Sequence, residues 1–266
     1  MQPLRVAVLS CGALGAEVAA RLVECPEVRD VVLVTAPYRT RVRSFRGKLR
    51  HVWRTQGPAG LAGVAAAKLR RALGAPDAVA EEPPLEPPPG VEHLRVPDFH
   101  DPGAIAALRA RAPDLGVLAG TYILRPEVFE IPRLGSINLH SGKVPEYRGA
   151  APAFWELYHG EHAVGITIHR VVAALDAGTV LRQEMFPLDP APPDDPIAYI
   201  ERYRREVLRP NGVRLLAEVV SAIARGTATE TQQDAGRART HRTPDYRAIR
   251  ELRRRVAARR RGAHAA

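Results

Sequence analysis

The sequence predicts an α/β fold built on a doubly wound, mostly parallel sheet, and three observations carry that prediction. An apolar run at Arg5–Ser10 reads as a buried strand and leads through glycines 12 and 15 into a helical stretch, residues 16–24. A second apolar run, Val31–Thr35, follows at once and completes a strand–turn–helix–strand order. From residue 91 onward, further strands and helices alternate instead of falling into separate blocks.

The remaining elements follow in chain order. Residues 38–75 read as a basic insertion with two helices, 46–54 and 61–73, divided at Gly57-Pro58, the second packing on the domain by an apolar face. Residues 75–90, rich in Pro and Glu, read as a linker. Val91–Val96 is the next strand and Pro102–Ala112 the next helix, with Asp101 as its N-cap. Strands follow at Asp114–Gly120 and Ser136–His140, then a helix at Ala151–His159 that Gly160 stops. Val164–Val171 and Thr179–Pro187 read as strands around a turn that holds Asp176. Asp194-Asp195-Pro196 opens a helical stretch that runs to Arg225-Gly226 and breaks near Pro210. Residues 1–235 thus form one domain, and 236–266 a basic, solvated tail.

Composition removes several classes. With 266 residues, 45% hydrophobic and 26% charged, the chain suits a globular domain with an appendage. Two cysteines, Cys11 and Cys25, make no disulfide framework or metal motif and fit a reducing cytoplasm. Glu17 and Arg21 interrupt the first apolar stretch, which argues against a secretory signal. No run of about 18 apolar residues exists, so no membrane span is expected. The net charge of +10 is concentrated at residues 39–71 and 237–261. A single aromatic, Tyr246, stands among the tail arginines, too few for a base-stacking platform, so a plain RNA-binding module is the weaker reading.

Chemistry concentrates at Ile137-Asn138-Leu139-His140 and at Leu175-Asp176-Ala177-Gly178. In a strand, Asn138 and His140 point to one face and can converge on one ligand. An amide donor, an imidazole and a carboxylate are the parts of an acyl-transfer site: a donor for an oxyanion, an acid/base, and a group that orients and charges the base. No His/Cys/Asp group has metal-ligand spacing, so no metal is expected. Ser10-x-Gly12-x-x-Gly15 approaches a dinucleotide fingerprint but lacks its first glycine, and Thr35-Ala36-Pro37 offers no carboxylate for a ribose. That turn holds an acceptor phosphate near Gly12 or closes a tight helix–strand contact.

Followed by Val144-Pro145-Glu146-Tyr147-Arg148-Gly149-Ala150-Ala151-Pro152, these motifs resemble the 10-formyltetrahydrofolate-dependent formyltransferase family. Similarity is strongest between Ala112 and Pro187 and includes Ala112–Leu124 and Val164–Val171. The resemblance implies a Rossmann-like formyltransferase fold and a formyl group moved from 10-formyltetrahydrofolate to a primary amine. It assigns Asn138 and an imidazolium at His140 to the formyl oxygen, each such donor being worth about 3–4 kcal/mol of barrier. Asp176 would favour the charged imidazole and help remove the amine's proton. The folate would lie between Ala119, Gly120, Ile123 and Leu124 on one side and the stretch from Val171 to Leu175 on the other. Gly12, Tyr147 and Arg148 would border the acceptor, and His169 would line the site. Family members commonly read His-Pro-Ser-Leu-Leu-Pro where this chain has His140-Ser141-Gly142-Lys143-Val144-Pro145, a loop of equal length with added flexibility and charge.

For the acceptor, Tyr147–Pro152 looks more like the methionyl-tRNA and sugar-nucleotide branches than the glycinamide ribonucleotide branch. The tRNA enzymes usually add a C-terminal barrel of roughly a hundred residues, an ordinary domain size. About thirty residues follow Gly236 here, so the expected acceptor is a small phosphorylated amine such as an amino-sugar nucleotide. Methionyl-tRNA is the alternative, with the basic tail contacting phosphates. Formyltetrahydrofolate deformylases usually carry a further N-terminal domain, whereas this chain opens on its first strand.

Overall fold

The computed structural model describes residues 3–38, 52, 53, 57, 58, 60, 62 and 86–263. The expected helices at 46–54 and 61–73 and the linker at 75–90 fall largely outside these residues.

One sheet organises the chain. Its strands are β1 (Leu4–Ser10), β2 (Val28–Thr35), β3 (Glu92–Arg95), β4 (Leu115–Leu118) and β5 (Ser136–His140). After the two-residue β6 (Arg148–Gly149), which lies outside it, come β7 (Ala163–Arg170) and β8 (Val180–Pro187). The spatial order is β3-β2-β1-β4-β5-β7-β8, a seven-stranded sheet. The first five strands run parallel, and β7 and β8 run antiparallel. Side chains alternate along β1. Val6 and Val8 meet α1 (Ala13–Val23), while Ala7 and Leu9 meet Leu108 of α2 (Pro102–Ala110) on the other face. Burial on both faces is why these strands read as unbroken apolar runs.

Local chemistry sets the helix ends. α1 begins before the expected residue 16, because Gly15 is part of its first turn. A Cβ at Gly15 would lie 2.3 Å from Ser10 Cβ, so this glycine serves a close helix–strand contact. Asp101 caps α2 by accepting from the backbone N–H groups of Gly103 (2.9 Å) and Ala104 (3.2 Å). Asp101→Ala should therefore cost about 1 kcal/mol, read as a lowered thermal midpoint. After the short α3 (Pro126–Phe129) comes α4 (Phe154–His159), which is shorter than expected. Ala151 and Ala153 both hold φ 65°, a left-handed turn that no helix accommodates. Gly160 stops α4 at φ 82°, as its sequence position predicts.

The break near Pro210 has a defined form. α5 (Pro196–Tyr203) passes through a π-helical turn, Arg204–Leu208, into α6 (Arg209–Arg225). Proline cannot donate to the preceding turn, and its ring needs room there; the wider turn supplies that room. Asn211 Nδ2 donates to the Val207 carbonyl at 2.8 Å.

The C-terminal segment departs from the expected solvated tail. β9 (Thr240–His241) pairs with β6, and α7 (Tyr246–Ala263) packs its Leu252 and Val256 into the core. Ile249, Leu252 and Val256 fall at helical spacing and give this arginine-dense helix an apolar stripe. Its cations are partly used in docking: Arg253 pairs with Asp195 at 2.8 Å, and the Arg255 guanidinium lies 4.1 Å from the Tyr158 ring centre. Among the described residues, no helix is long and apolar enough to cross a membrane.

Candidate active site

The site forms at the carboxyl end of β5, where the parallel half of the sheet meets the antiparallel half. Ile137 and Leu139 enter the core, which turns Asn138 and His140 to the opposite face. In the antiparallel pairing, Asn138 stands opposite His169 and His140 opposite Thr167. Residues paired in this way share a face, so His169 is delivered to the site by register alone. Its Nε2 lies 3.2 Å from Asn138 Nδ2, and its Nδ1 lies 2.8 Å from the Arg170 carbonyl. A carbonyl only accepts, so Nδ1 donates to it, while Nε2 stands between Asn138 Nδ2 and Asp176 Oδ1. The second Asn138 N–H stays available to a ligand.

Asp176 arrives from the β7–β8 loop in a left-handed conformation, φ 48°, which Asp tolerates better than most residues. Its Oδ1 is 3.5 Å from His169 Nε2, and its Oδ2 is 3.6 Å from His140 Nδ1. The Gly149 N–H donates to Oδ2 at 2.7 Å. His140 Nε2 lies 2.7 Å from the Tyr147 carbonyl, which fixes a proton on Nε2 and leaves Nδ1 facing the carboxylate.

Burial is the largest influence on His140 and lowers its pKa from the usual imidazole value; Asp176 and the Tyr147 carbonyl oppose it without reversing it. A lowered pKa favours the neutral ring at rest. Burial alone would raise Asp176, but hydrogen bonding with His169, the charge that His140 gains on protonation and the Gly149 N–H outweigh it and hold the carboxyl below its usual range.

An open cavity of about 120 Å³ adjoins this cluster. Asn138, His169 and Asp176 supply its polar wall, and Ile123, Leu124, Val171 and Leu175 its apolar walls. Val172 lines it too, within the expected Val171–Leu175 wall, as do Thr121 and Tyr122, which were not named as folate contacts. Ile123 (62%), Val172 (43%) and Leu175 (40%) leave much of their apolar surface exposed at its rim. Ala119 and Gly120 take other positions. Ala119 is buried with its carbonyl accepting from Ser10 Oγ at 2.6 Å, and the Gly120 carbonyl accepts from Cys11 N–H at 3.3 Å. Gly12 caps α1 beside that contact, at the carboxyl end of β1, and nothing lies within 4 Å of a Cβ built on it.

His140 lines a second cavity of about 10 Å³, together with Tyr147, Arg148, Glu156 and His241. Tyr147 stacks on His241 with ring centres 5.1 Å apart and donates its hydroxyl to Glu161 at 2.9 Å. Arg148 is held by Gln233. Both its Nε (3.1 Å) and Nη2 (2.6 Å) donate to Gln233 Oε1. Gln233 Nε2 in turn donates to the carbonyls of Asp176 (2.8 Å) and Gly178 (2.7 Å). Arg148 and Gln233 thus hold the Asp176 loop. Gln233 was not singled out by the sequence reading, because its partners lie far away in sequence. The altered loop after His140 is pinned as well: Thr167 Oγ1 donates to the Gly142 carbonyl, and Gln183 Nε2 to Val144. Among the described residues, no group of three or more His, Cys, Asp or Glu is placed to hold a metal.

Comparisons with known proteins converge on one family. The family model described as Formyl transferase matches residues 61–207. A methionyl-tRNA formyltransferase from Roseiflexus sp. (strain RS-1) is 37% identical over 150 residues, covering 56% of this chain and 44% of that protein. One from Herpetosiphon aurantiacus is 37% identical over 153 residues, covering 55% of this chain and 48% of its own. The chain spans about half the length of the curated relatives it matches. Among solved structures, glycinamide ribonucleotide transformylase 1 from Symbiobacterium toebii superposes with a TM-score of 0.55 at 21% identity, covering 87% of this chain and 95% of that one. A sugar N-formyltransferase from Shewanella sp FDAARGOS_354 gives a TM-score of 0.57 at 15% identity, covering 95% and 87%. Those two likenesses concern the fold alone. The family model, in contrast, covers more than half of the sequence, and by that match the chain belongs to the formyltransferase family.

Proposed function

We propose that the protein transfers a formyl group from 10-formyltetrahydrofolate to a primary amine. The observation that carries this reading is the convergence of Asn138, His140 and Asp176 beside an open, apolar-walled cavity in a chain of this family. The exposed rim of Ile123, Val172 and Leu175 suits a flat, largely apolar ring system such as the pterin of the donor. The free N–H of Asn138 stabilises the charge that grows on the formyl oxygen. Neutral His140 accepts a proton from the amine at Nδ1, and Asp176 stabilises the imidazolium so formed. Arg148 is a positioning residue in this scheme, because it acts through Gln233 on the Asp176 loop.

The acceptor we infer is a primary amine on a small phosphorylated molecule such as an amino-sugar nucleotide. Methionyl-tRNA is the second reading, favoured by the names of the curated relatives. Folate turnover by the purified protein, with acceptor classes added one at a time, separates them. Turnover should require an acceptor and fall at least about 100-fold in His140→Ala. Faster formylation of methionyl-tRNA than of any amino sugar would reverse the order of the two acceptors. Turnover without any acceptor would replace transfer by hydrolysis.

A further inference from the structure

We propose that Glu156 receives the proton that the acceptor's ammonium must lose before attack, through His140 and one water held in the small cavity that the two residues share. The inference deepens the formyl-transfer reading and rests on it. Glu156 belongs to α4 and is 2% exposed, yet its Oε1 accepts no hydrogen bond. Such an acceptor is rare in a folded interior and marks a place where a polar partner is wanted. The cavity it lines with His140 measures about 10 Å³, close to the room that one water requires.

The charged neighbours do not neutralise this carboxyl. Arg204, from the π-helical turn, gives its Nε to the Pro152 carbonyl and its Nη1 to Glu201, both at short range. From α7, Arg255 and Arg259 donate to the Tyr158 carbonyl. Glu161, beyond α4, adds a like charge, and the hydroxyl of Tyr203 donates to Phe186 and Pro187. On the remaining side stand Tyr147 and His241, whose ring is given to the Glu146 carbonyl. Burial is the largest influence on Glu156 and pushes it up to about 7; the N–H groups of Glu156 and Ala153 and the charge of Arg204 only partly oppose it. A carboxyl titrating there exchanges protons readily with an imidazole.

The protons balance as follows. The ammonium gives one proton to Nδ1 of neutral His140, and the proton on Nε2 leaves its hydrogen bond to the Tyr147 carbonyl and passes through the water to the Glu156 carboxylate. The neutral amine then forms its bond to the formyl carbon while the bond from that carbon to the folate nitrogen breaks. The amine's second proton goes to the released folate nitrogen. Glu156 loses its proton to solvent, and the ring returns to its Nε2 tautomer by exchange. Glu156 touches neither donor nor acceptor, so it is a positioning residue for this proton.

The test is the pH profile of kcat/KM for the acceptor, wild type beside Glu156→Gln and Glu156→Asp. In the wild type the rate should fall as pH drops through about 7, where Glu156 takes up its proton. Glu156→Gln should lose that limb and run about tenfold or more slower at pH 8, with the KM for the folate unchanged. Glu156→Asp should keep a limb. Infrared titration of the wild type alone should show a carboxylic acid band growing as pH falls through about 7, and Glu156→Gln should lack it. A Glu156→Gln profile that overlays the wild type, or no such band in the wild type, would overturn the proposal. A wild type inactive with every acceptor would instead sink the formyl-transfer reading itself.

Discussion

Asp176→Asn should lower formyl transfer by about 10²–10³-fold while leaving the fold and the KM for the folate nearly unchanged. The substitution keeps the size of the side chain and an oxygen that can accept from the Gly149 N–H. It removes the negative charge 3.6 Å from His140 Nδ1, the atom that takes the amine's proton in the proposed reaction. Burial already lowers the pKa of His140, and Asp176 is foremost among the influences that resist this. Without it the ring is a weaker base, and the proton has no counter-charge. Single-turnover kinetics on the folate donor would read the effect, with circular dichroism as the control for folding. A loss smaller than about tenfold would remove Asp176 from the proton's path. Because the folded-state pKa of Asp176 lies below its usual value of 3.8, the carboxylate stays ionised at neutral pH. Its contribution to stability is present above that usual value and is lost as pH falls through the folded pKa.

Gly178→Ala should be the most destabilising single methyl in the loop, costing about 3 kcal/mol and lowering the melting temperature by about 10 °C. A Cβ there would stand 1.9 Å from the Arg170 carbonyl oxygen and 2.7 Å from its carbon. Both are backbone atoms at the end of β7, so no side chain can swing aside. The loop would have to move, and Asp176 lies two residues before it. Loss of activity should therefore accompany loss of stability. Differential scanning calorimetry decides the first point, and an unchanged melting temperature would mean that the loop yields without cost.

The sequence showed most of the local structure because local rules govern it. Ser136–His140 is β5 to the residue, and Asp101 and Asp195 cap the helices they precede. Gly160 and Gly226 end theirs in the left-handed conformation that glycine makes cheap. Helix starts were less legible: Gly15 resembled a turn residue but lies inside α1, its absent side chain serving a neighbour that only the fold supplies. β6 and β9 were invisible, since each is two residues long and its partner lies far along the chain. The C-terminal helix was readable from Ile249, Leu252 and Val256, but its arginines drew attention to charge and away from that stripe.

Within the site, the Asn–x–His spacing and the Asp-Ala-Gly turn had a sequence signature, while the register that brings His169 across from Asn138 had none. Arg148 was recognised as important from its motif, but its direction could not be read. The guanidinium is spent on Gln233, 85 positions away, which in turn holds the Asp176 loop.

The pairing of β6 with β9 also sets an order of assembly. Arg148 and Gly149 follow directly on the loop that His140 opens, yet they are clamped by Thr240 and His241, and the Asp176 loop waits for Gln233. Closing contacts across such spans is slow relative to forming a hairpin or a helix, because the entropy of the intervening chain is lost first. During synthesis the parallel half of the sheet has all its strands by residue 140, long before residues 233 and 241 are made. A nascent chain therefore acquires its scaffold early, and the clamps on β6 and on the Asp176 loop only once residues 233–241 are made.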